Sequence, residues 1–142
     1  MRDLMNNINI AGIAATGVIT VTDTTAIVSG IVDKQGYDSL TFAIAAGTLA
    51  DVDATFTVLV EDGDDSGLSD NAAVADAYLL GTEALASFTF AEDASAFKIG
   101  YVGSKRYVRC TVTPAANTGS APIAIIGILG HPNKAATSNP PA

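Results

Sequence analysis

Tryptophan is absent from this 142-residue sequence, and cysteine and histidine occur once each. The lone Cys110 excludes an intramolecular disulfide and any metal centre built from several thiolates. Aromatic residues are only 6%, so the core must come from Val, Ile, Leu, Ala and five Phe. Basic residues are few: 7 against 15 acids, for a net charge of -8. That balance lacks the basic footprint of a nucleic-acid binder, so no direct contact with nucleic acid is expected. Charged residues make up only 15% and hydrophobic residues 49%, which excludes a disordered acidic tail. No apolar run reaches about 18 residues, so no membrane-spanning helix is expected. The start, Met1-Arg2-Asp3-Leu4-Met5-Asn6-Asn7, lacks the charged-then-apolar order of a secretory signal, and none is expected.

What the sequence does have is period-two alternation, which sets one side chain inward and the next outward. Leu40, Phe42 and Ile44 share a face, as do Phe56, Val58 and Val60. Phe88 with Phe90, then Phe97, Ile99 and Tyr101, repeat the pattern. In 107–113, Val108, Cys110 and Val112 face inward, with Tyr107, Arg109, Thr111 and Thr113 outward. Three more strands are read at 17–22, 26–32 and 123–129, the last apolar throughout and suited to a central position or a subunit contact. Gly30 marks a bulge candidate. Thirteen Gly and frequent Thr suit short strands and tight turns. The fold class is therefore all-β: one antiparallel β-sandwich or jelly-roll-like domain of about eight strands, with at most one short helix.

Turn chemistry separates the strands. Asp33-Lys34-Gln35-Gly36 and Glu61-Asp62-Gly63-Asp64 read as turns, and Gly103-Ser104-Lys105-Arg106 as a hairpin between neighbouring strands. The one helix candidate is 69–81, with Asp70 as cap, Ala-rich sequence after it and Gly81 as stop; Tyr78-Leu79-Leu80 could equally begin a strand. The chain divides into an N-terminal arm (1–15), the β domain (16–132) and an extended C-terminal tail (133–142) that carries two prolines.

Catalytic chemistry is hard to assemble from these residues. No Gly-x-Ser-x-Gly elbow and no glycine-rich phosphate loop occurs. Cys110 sits mid-strand on the inward face, where a thiol is inert. His131 needs a nucleophile or an orienting acid beside it. The acidic stretch 61–70 does not match the spacing of a calcium loop and reads as a solvated loop. The expectation is a non-enzyme with no cofactor and no metal.

The bases are more informative. Lys98, Lys105, Arg106 and Arg109 fall within twelve residues, beside Tyr101 and Tyr107. Arg and Tyr are favoured interface anchors, which makes Tyr101, Lys105, Arg106, Tyr107 and Arg109 the candidate interface. Such a patch could meet the 61–70 loop of another copy, or balance acids in its own chain.

Four blocks give the sequence a family likeness. They are Asp33-Lys34-Gln35-Gly36-Tyr37-Asp38-Ser39-Leu40, Leu80-Gly81-Thr82-Glu83, Gly100-Tyr101-Val102-Gly103-Ser104-Lys105-Arg106-Tyr107-Val108-Arg109, and Leu129-Gly130-His131-Pro132. In this order they resemble a family of small structural proteins of tailed bacteriophages and prophages. The resemblance implies a virion protein assembled in the host cytoplasm, a head decoration (cement) or minor capsid protein. It implies the major capsid protein as partner, a homotrimer by analogy with other decoration proteins, and no membrane. A tail or head–tail connector component is the alternative, and a carbohydrate-binding β-sandwich module a further one, poorly served by so few aromatics.

Overall fold

Alternation over 37–46 and 55–63 produces the two longest early strands, and each becomes the spine of a sheet. The computed structural model describes residues 3–14 and 17–138. Among them are β1 (Ile8–Ala11), β2 (Val18–Val21), β3 (Ile27–Val28), β4 (Val32–Asp33), β5 (Tyr37–Ala46) and β6 (Thr55–Gly63). There follow β7 (Ala72–Ala73), β8 (Leu79–Leu80), the single-turn helix α1 (Glu83–Ala86), β9 (Phe88–Thr89), β10 (Ala96–Tyr101), β11 (Tyr107–Ala115) and β12 (Ala121–Pro132). All pairings are antiparallel, in two sheets. One runs β1-β12-β5-β10-β8, with β2 also on β12; the other runs β3-β11-β6-β7, with β4 on β11 and β9 on β6. The expected β-sandwich is the observed fold, with more strands than the expected eight. The segment 26–32 splits into β3 and β4, and β1, β7 and β8 lack a readable alternation.

The inward faces form one core. Leu40, Phe42 and Ile44 meet Phe56, Val58, Val60, Val108, Cys110 and Val112 across the sandwich, all 1% exposed or less. Aromatic rings tie the sheets together at one place: Phe88 stacks on Phe56 at 4.9 Å and on Phe97 at 4.6 Å. The apolar run of β12 lies centrally, between β5 on one edge and β1 and β2 on the other. Its Ala121, Ile123, Ile125 and Leu129 are buried, while Ala124, Ile126 and Ile128 alternate outward and are half-buried.

Two expectations are corrected. The 69–81 segment forms no helix: it holds β7, a 3₁₀ turn at Asp76–Tyr78 and β8. The free edge of β6 captures it through the Ala72 and Ala73 pairing and the bond from Val74 N–H to the Val60 carbonyl. Asp70 does not cap it; its carboxylate accepts from the N–H groups of Asp64 and Asp65. The one α-helix is α1, where Thr82 caps by accepting from Leu85 N–H.

The second correction concerns 103–106, which is not a hairpin. It carries the chain from β10 in one sheet to β11 in the other. The N-terminal segment supplies β1, which pairs with β12 through Ile8↔Gly130 to Ala11↔Gly127. The start of the C-terminal tail is tied to it: Thr137 donates from its N–H to the Asn6 carbonyl and from Oγ1 to the Ile8 carbonyl at 2.6 Å. Pro140 and Pro141 lie outside the described residues. Residues 29–31 interrupt the edge because Gly30 N–H turns to the Gly12 carbonyl, where a Cβ on Gly30 would stand 2.6 Å from the Ile13 carbonyl oxygen.

Between β7 and β9 the edge of β6 has no strand partner, and side chains supply the acceptors. Val58 N–H donates to Ser87 Oγ at 2.9 Å, and Val60 N–H to Glu83 Oε1 at 2.7 Å. Ser87→Ala leaves the Val58 amide without its acceptor at a part-buried position. The expected cost is about 1–3 kcal/mol by denaturant unfolding, with faster hydrogen exchange at Val58 N–H.

Candidate functional site: the charged end of the sandwich

The link from β10 to β11 is anchored by Tyr101. Its ring is 1% exposed, and its hydroxyl donates to Asp62 Oδ2 at 2.6 Å on the opposite sheet. The same hydroxyl accepts from Lys105 N–H at 3.1 Å. Gly103 lies over the ring, where an added Cβ would stand 2.3 Å from the hydroxyl oxygen. Burial first, and the Asp62 carboxylate second, push the phenol well above its ordinary range. Tyr101 therefore does not join the exposed candidate surface; it sets the path of the segment that carries it.

Lys105, Arg106 and Arg109 then each meet an acid of the same chain. Lys105 pairs with Asp64. Arg106 forms a two-pronged fork on Asp33, Nε to Oδ1 at 2.9 Å and Nη2 to Oδ2 at 2.7 Å. Arg109 Nε donates to Glu61 Oε2 at 2.8 Å, the two residues standing opposite each other in the β11–β6 register. Of the two arrangements the sequence left open for these bases, the structure shows Lys105, Arg106 and Arg109 balancing acids of their own chain. Tyr107 is half-buried, and the Arg106 guanidinium lies over its ring at 5.0 Å. Of the five candidate residues, Lys105, Arg106 and Tyr107 form one solvent-facing cluster, Arg109 lies partly buried beside it, and Tyr101 is inside.

The acidic loop folds on itself. Asp65 accepts from the N–H groups of Gly67 and Ser69, and Asp70 from those of Asp64 and Asp65. These backbone donors hold both carboxyls below the usual range. The Arg106 fork does the same for Asp33, and the Arg109 bond for Glu61. Among the described residues, no three acidic, imidazole or thiol groups converge as a metal site would require.

Cys110 is fully buried in β11, and burial pushes its thiol up to about 12. His131 is exposed, with Nδ1 and Ser39 Oγ 2.9 Å apart across 92 residues of sequence. Sequence reasoning missed Ser39 and the acid partners Asp33 and Asp62. For Ser39 and Asp33 a signal existed, because both stand in the four blocks that carry the family likeness, and those blocks converge in space; Asp62 stands in none of them. Tyr101 pairs with Leu40, Gly100 with Leu80, Leu40 with Leu129, and Asp33 with Tyr107.

No protein-family model matches the chain, and no curated protein matches it. Solved structures do. The PBSX exported protein XepA aligns over 100% of this chain and 43% of its own, with a TM-score of 0.55 and 13% identity. The chain therefore spans under half the length of that protein, and the likeness is one of fold. The CBM22-1-GH10 modules of the Clostridium thermocellum endo-1,4-beta-D-xylanase 10B, complexed with xylohexaose, align at 11% identity over 95% of this chain and 28% of theirs, with a TM-score of 0.44. The enzymatically active domain of bacteriophage CBA120 tailspike protein 4 aligns at 12% identity over 89% of this chain and 20% of its own, with a TM-score of 0.45. Neither of these two carries an inference.

Two outcomes follow from the electrostatics. Carboxyls held low by the fold stabilise it fully above the ordinary carboxylate range and lose that contribution as pH falls through their folded values. Thermal stability is expected to stay level from about pH 7 to about 5 and to fall below about pH 4. Arg109→Ala should cost about 1–3 kcal/mol, because Glu61 stays part-buried without its partner, and should flatten the acid limb. For Cys110, a thiol reagent should label the native protein no faster than the protein unfolds, and label it at once in denaturant.

Proposed function

We propose that this chain is a non-enzymatic structural protein of a phage or prophage particle that decorates the head and stabilises it by bridging major capsid subunits. The observation that carries this reading is the convergence of the four resemblance blocks at one charged end of the sandwich. The likeness of fold to a protein of PBSX, over the whole of this chain, supports it. So does the commitment of the reactive groups to structure. The thiol is sealed in the core, and the loop carboxylates are turned onto their own backbone.

The bridging works through modest contacts repeated many times. Each copy lays the Arg106 and Tyr107 surface, pre-ordered by Asp33 and Tyr101, across a junction between shell subunits. The guanidinium is already fixed by its fork, so little side-chain entropy is lost on docking. Opening the shell then requires breaking those contacts as well, and the effect multiplies over the lattice.

The test is to mix purified protein with shells that lack it and to measure occupancy by co-sedimentation. Wild type should bind and raise the temperature at which shells open. Tyr107→Ala and Arg106→Ala should each weaken binding at least tenfold while leaving the melting temperature of the isolated protein within about 2 °C of wild type. No binding to shells, or occupancy that neither substitution alters, overturns the reading.

A further inference from the structure

Strand register sets out the outer face of the β12 sheet residue by residue. From β1 to β8 one row reads Ile10, Ile128, Thr41, Gly100 and Leu80. The next row reads Ile126, Ala43 and Lys98. A third begins with Val18 and Ala124. Ile10 is 39% exposed, Val18 58% and Leu80 64%. None of the outward positions on β1, β2, β5, β8, β10 or β12 is Asp or Glu, although the chain has 15 acids. Asp38 of β5 has the parity of buried Leu40 and stands on the other side of its strand. Asp3 borders the face: it lines a hollow with Leu4, Ile8 and His131 that Thr41 and Ile128 of the first row also line. Lys98 is the one charge on the face, and among the described residues it makes no ion pair.

We infer that this face is covered by a second copy of the chain, same face to same face. Charge argues for that occupant. Two molecules of net charge -8 repel one another, and they approach at least cost where each presents the fewest carboxylates. The apolar face, whose strand positions carry Lys98 and no acid, meets that condition on both sides at once. Area agrees. The six strands of the sheet hold 38 residues, which at about 4.8 Å by about 3.3 Å each give a footprint of at most about 600 Å² per copy, or about 1,200 Å² per pair, at the lower bound for stable interfaces. A lysine stem packs along apolar surface while its ammonium stays in water, so Lys98, exposed on this face, does not require a partner acid within it. A face that matches itself closes a two-fold pair, whereas the homotrimer implied by the family likeness would need two different faces. The inference goes beyond the head-decoration reading and does not depend on it, since the isolated protein is enough to test it.

The experiment is sedimentation equilibrium of the purified chain over a dilution series, at low and moderate salt. A dimer is expected, tightened by salt as the like charges are screened. Ile126→Asp and Thr41→Glu put a carboxylate into the face and should each raise the dissociation constant at least a hundredfold. Thr113→Glu, on the outer face of the other sheet, should leave it unchanged. Circular dichroism and a thermal melt establish folding, and Thr41, at an outward position, carries the test should Ile126→Asp fail to fold. A monomer at about 1 mM in moderate salt overturns the inference. So does any oligomer, dimeric or trimeric, that Thr41→Glu leaves intact. Binding to shells is measured separately, so either reading can fail without the other.

Discussion

The hydrogen bond from Tyr101 to Asp62 is the contact on which the charged end of the molecule depends. It joins the two sheets through polar groups at the part-buried end of the apolar seam. Such a bond is stronger there than on open surface because water competes for it less. It also fixes the inter-sheet link, since the same oxygen receives Lys105 N–H and Gly103 must lie flat on the ring. With that link in place, Arg106 falls opposite Asp33 and β11 enters its ladder with β4 and β6 in register. The sequence of causes runs from one buried hydroxyl to a surface of fixed guanidinium and aromatic groups.

The distribution of charge divides the molecule into two unlike surfaces. Three of the seven bases are spent on neighbouring acids at the β10–β11 end, which tempers the excess of negative charge in that region. Exposed pairs of this kind contribute little to stability individually. Their effect is on geometry: a forked arginine over an aromatic ring keeps one orientation. The β12 sheet presents the opposite character, a face almost without charge and built from Ile, Ala and Thr. A chain with few bases and many acids keeps both by placing its acids in loops and at the charged end, off the outward positions of the β12 sheet.

Long alternating strands were legible because burial on one side leaves a period of two in the sequence. Leu40, Phe42 and Ile44, or Val108, Cys110 and Val112, face the core as the pattern requires. Short edge strands were not legible: two residues such as Ala72 and Ala73 carry no period, and the edge they add to decides their conformation. The same limit explains the lost helix at 69–81, where alanine propensity yields to backbone partners on β6. The 103–106 turn was misread because local turn chemistry is the same whether a chain folds back on its own sheet or crosses to the other. For the site, the bases stood out in sequence, but Asp33 and Glu61 lie 73 and 48 residues from the arginines they hold. Only the register of β11 with β4 and β6 brings them together.

The central place of β12 bears on how the protein is made. The strand that β1, β2 and β5 all require is the last one of the domain to be synthesised. Until it leaves the ribosome, the β5 edge and the first two strands have no partner in their sheet. The nascent chain must therefore hold apolar strands unpaired for most of its translation, and then close long-range contacts late and slowly. The acids concentrated in its loops keep such a chain apart from its neighbours during that interval, so the negative charge serves the unfolded polysome-bound state as much as the folded protein.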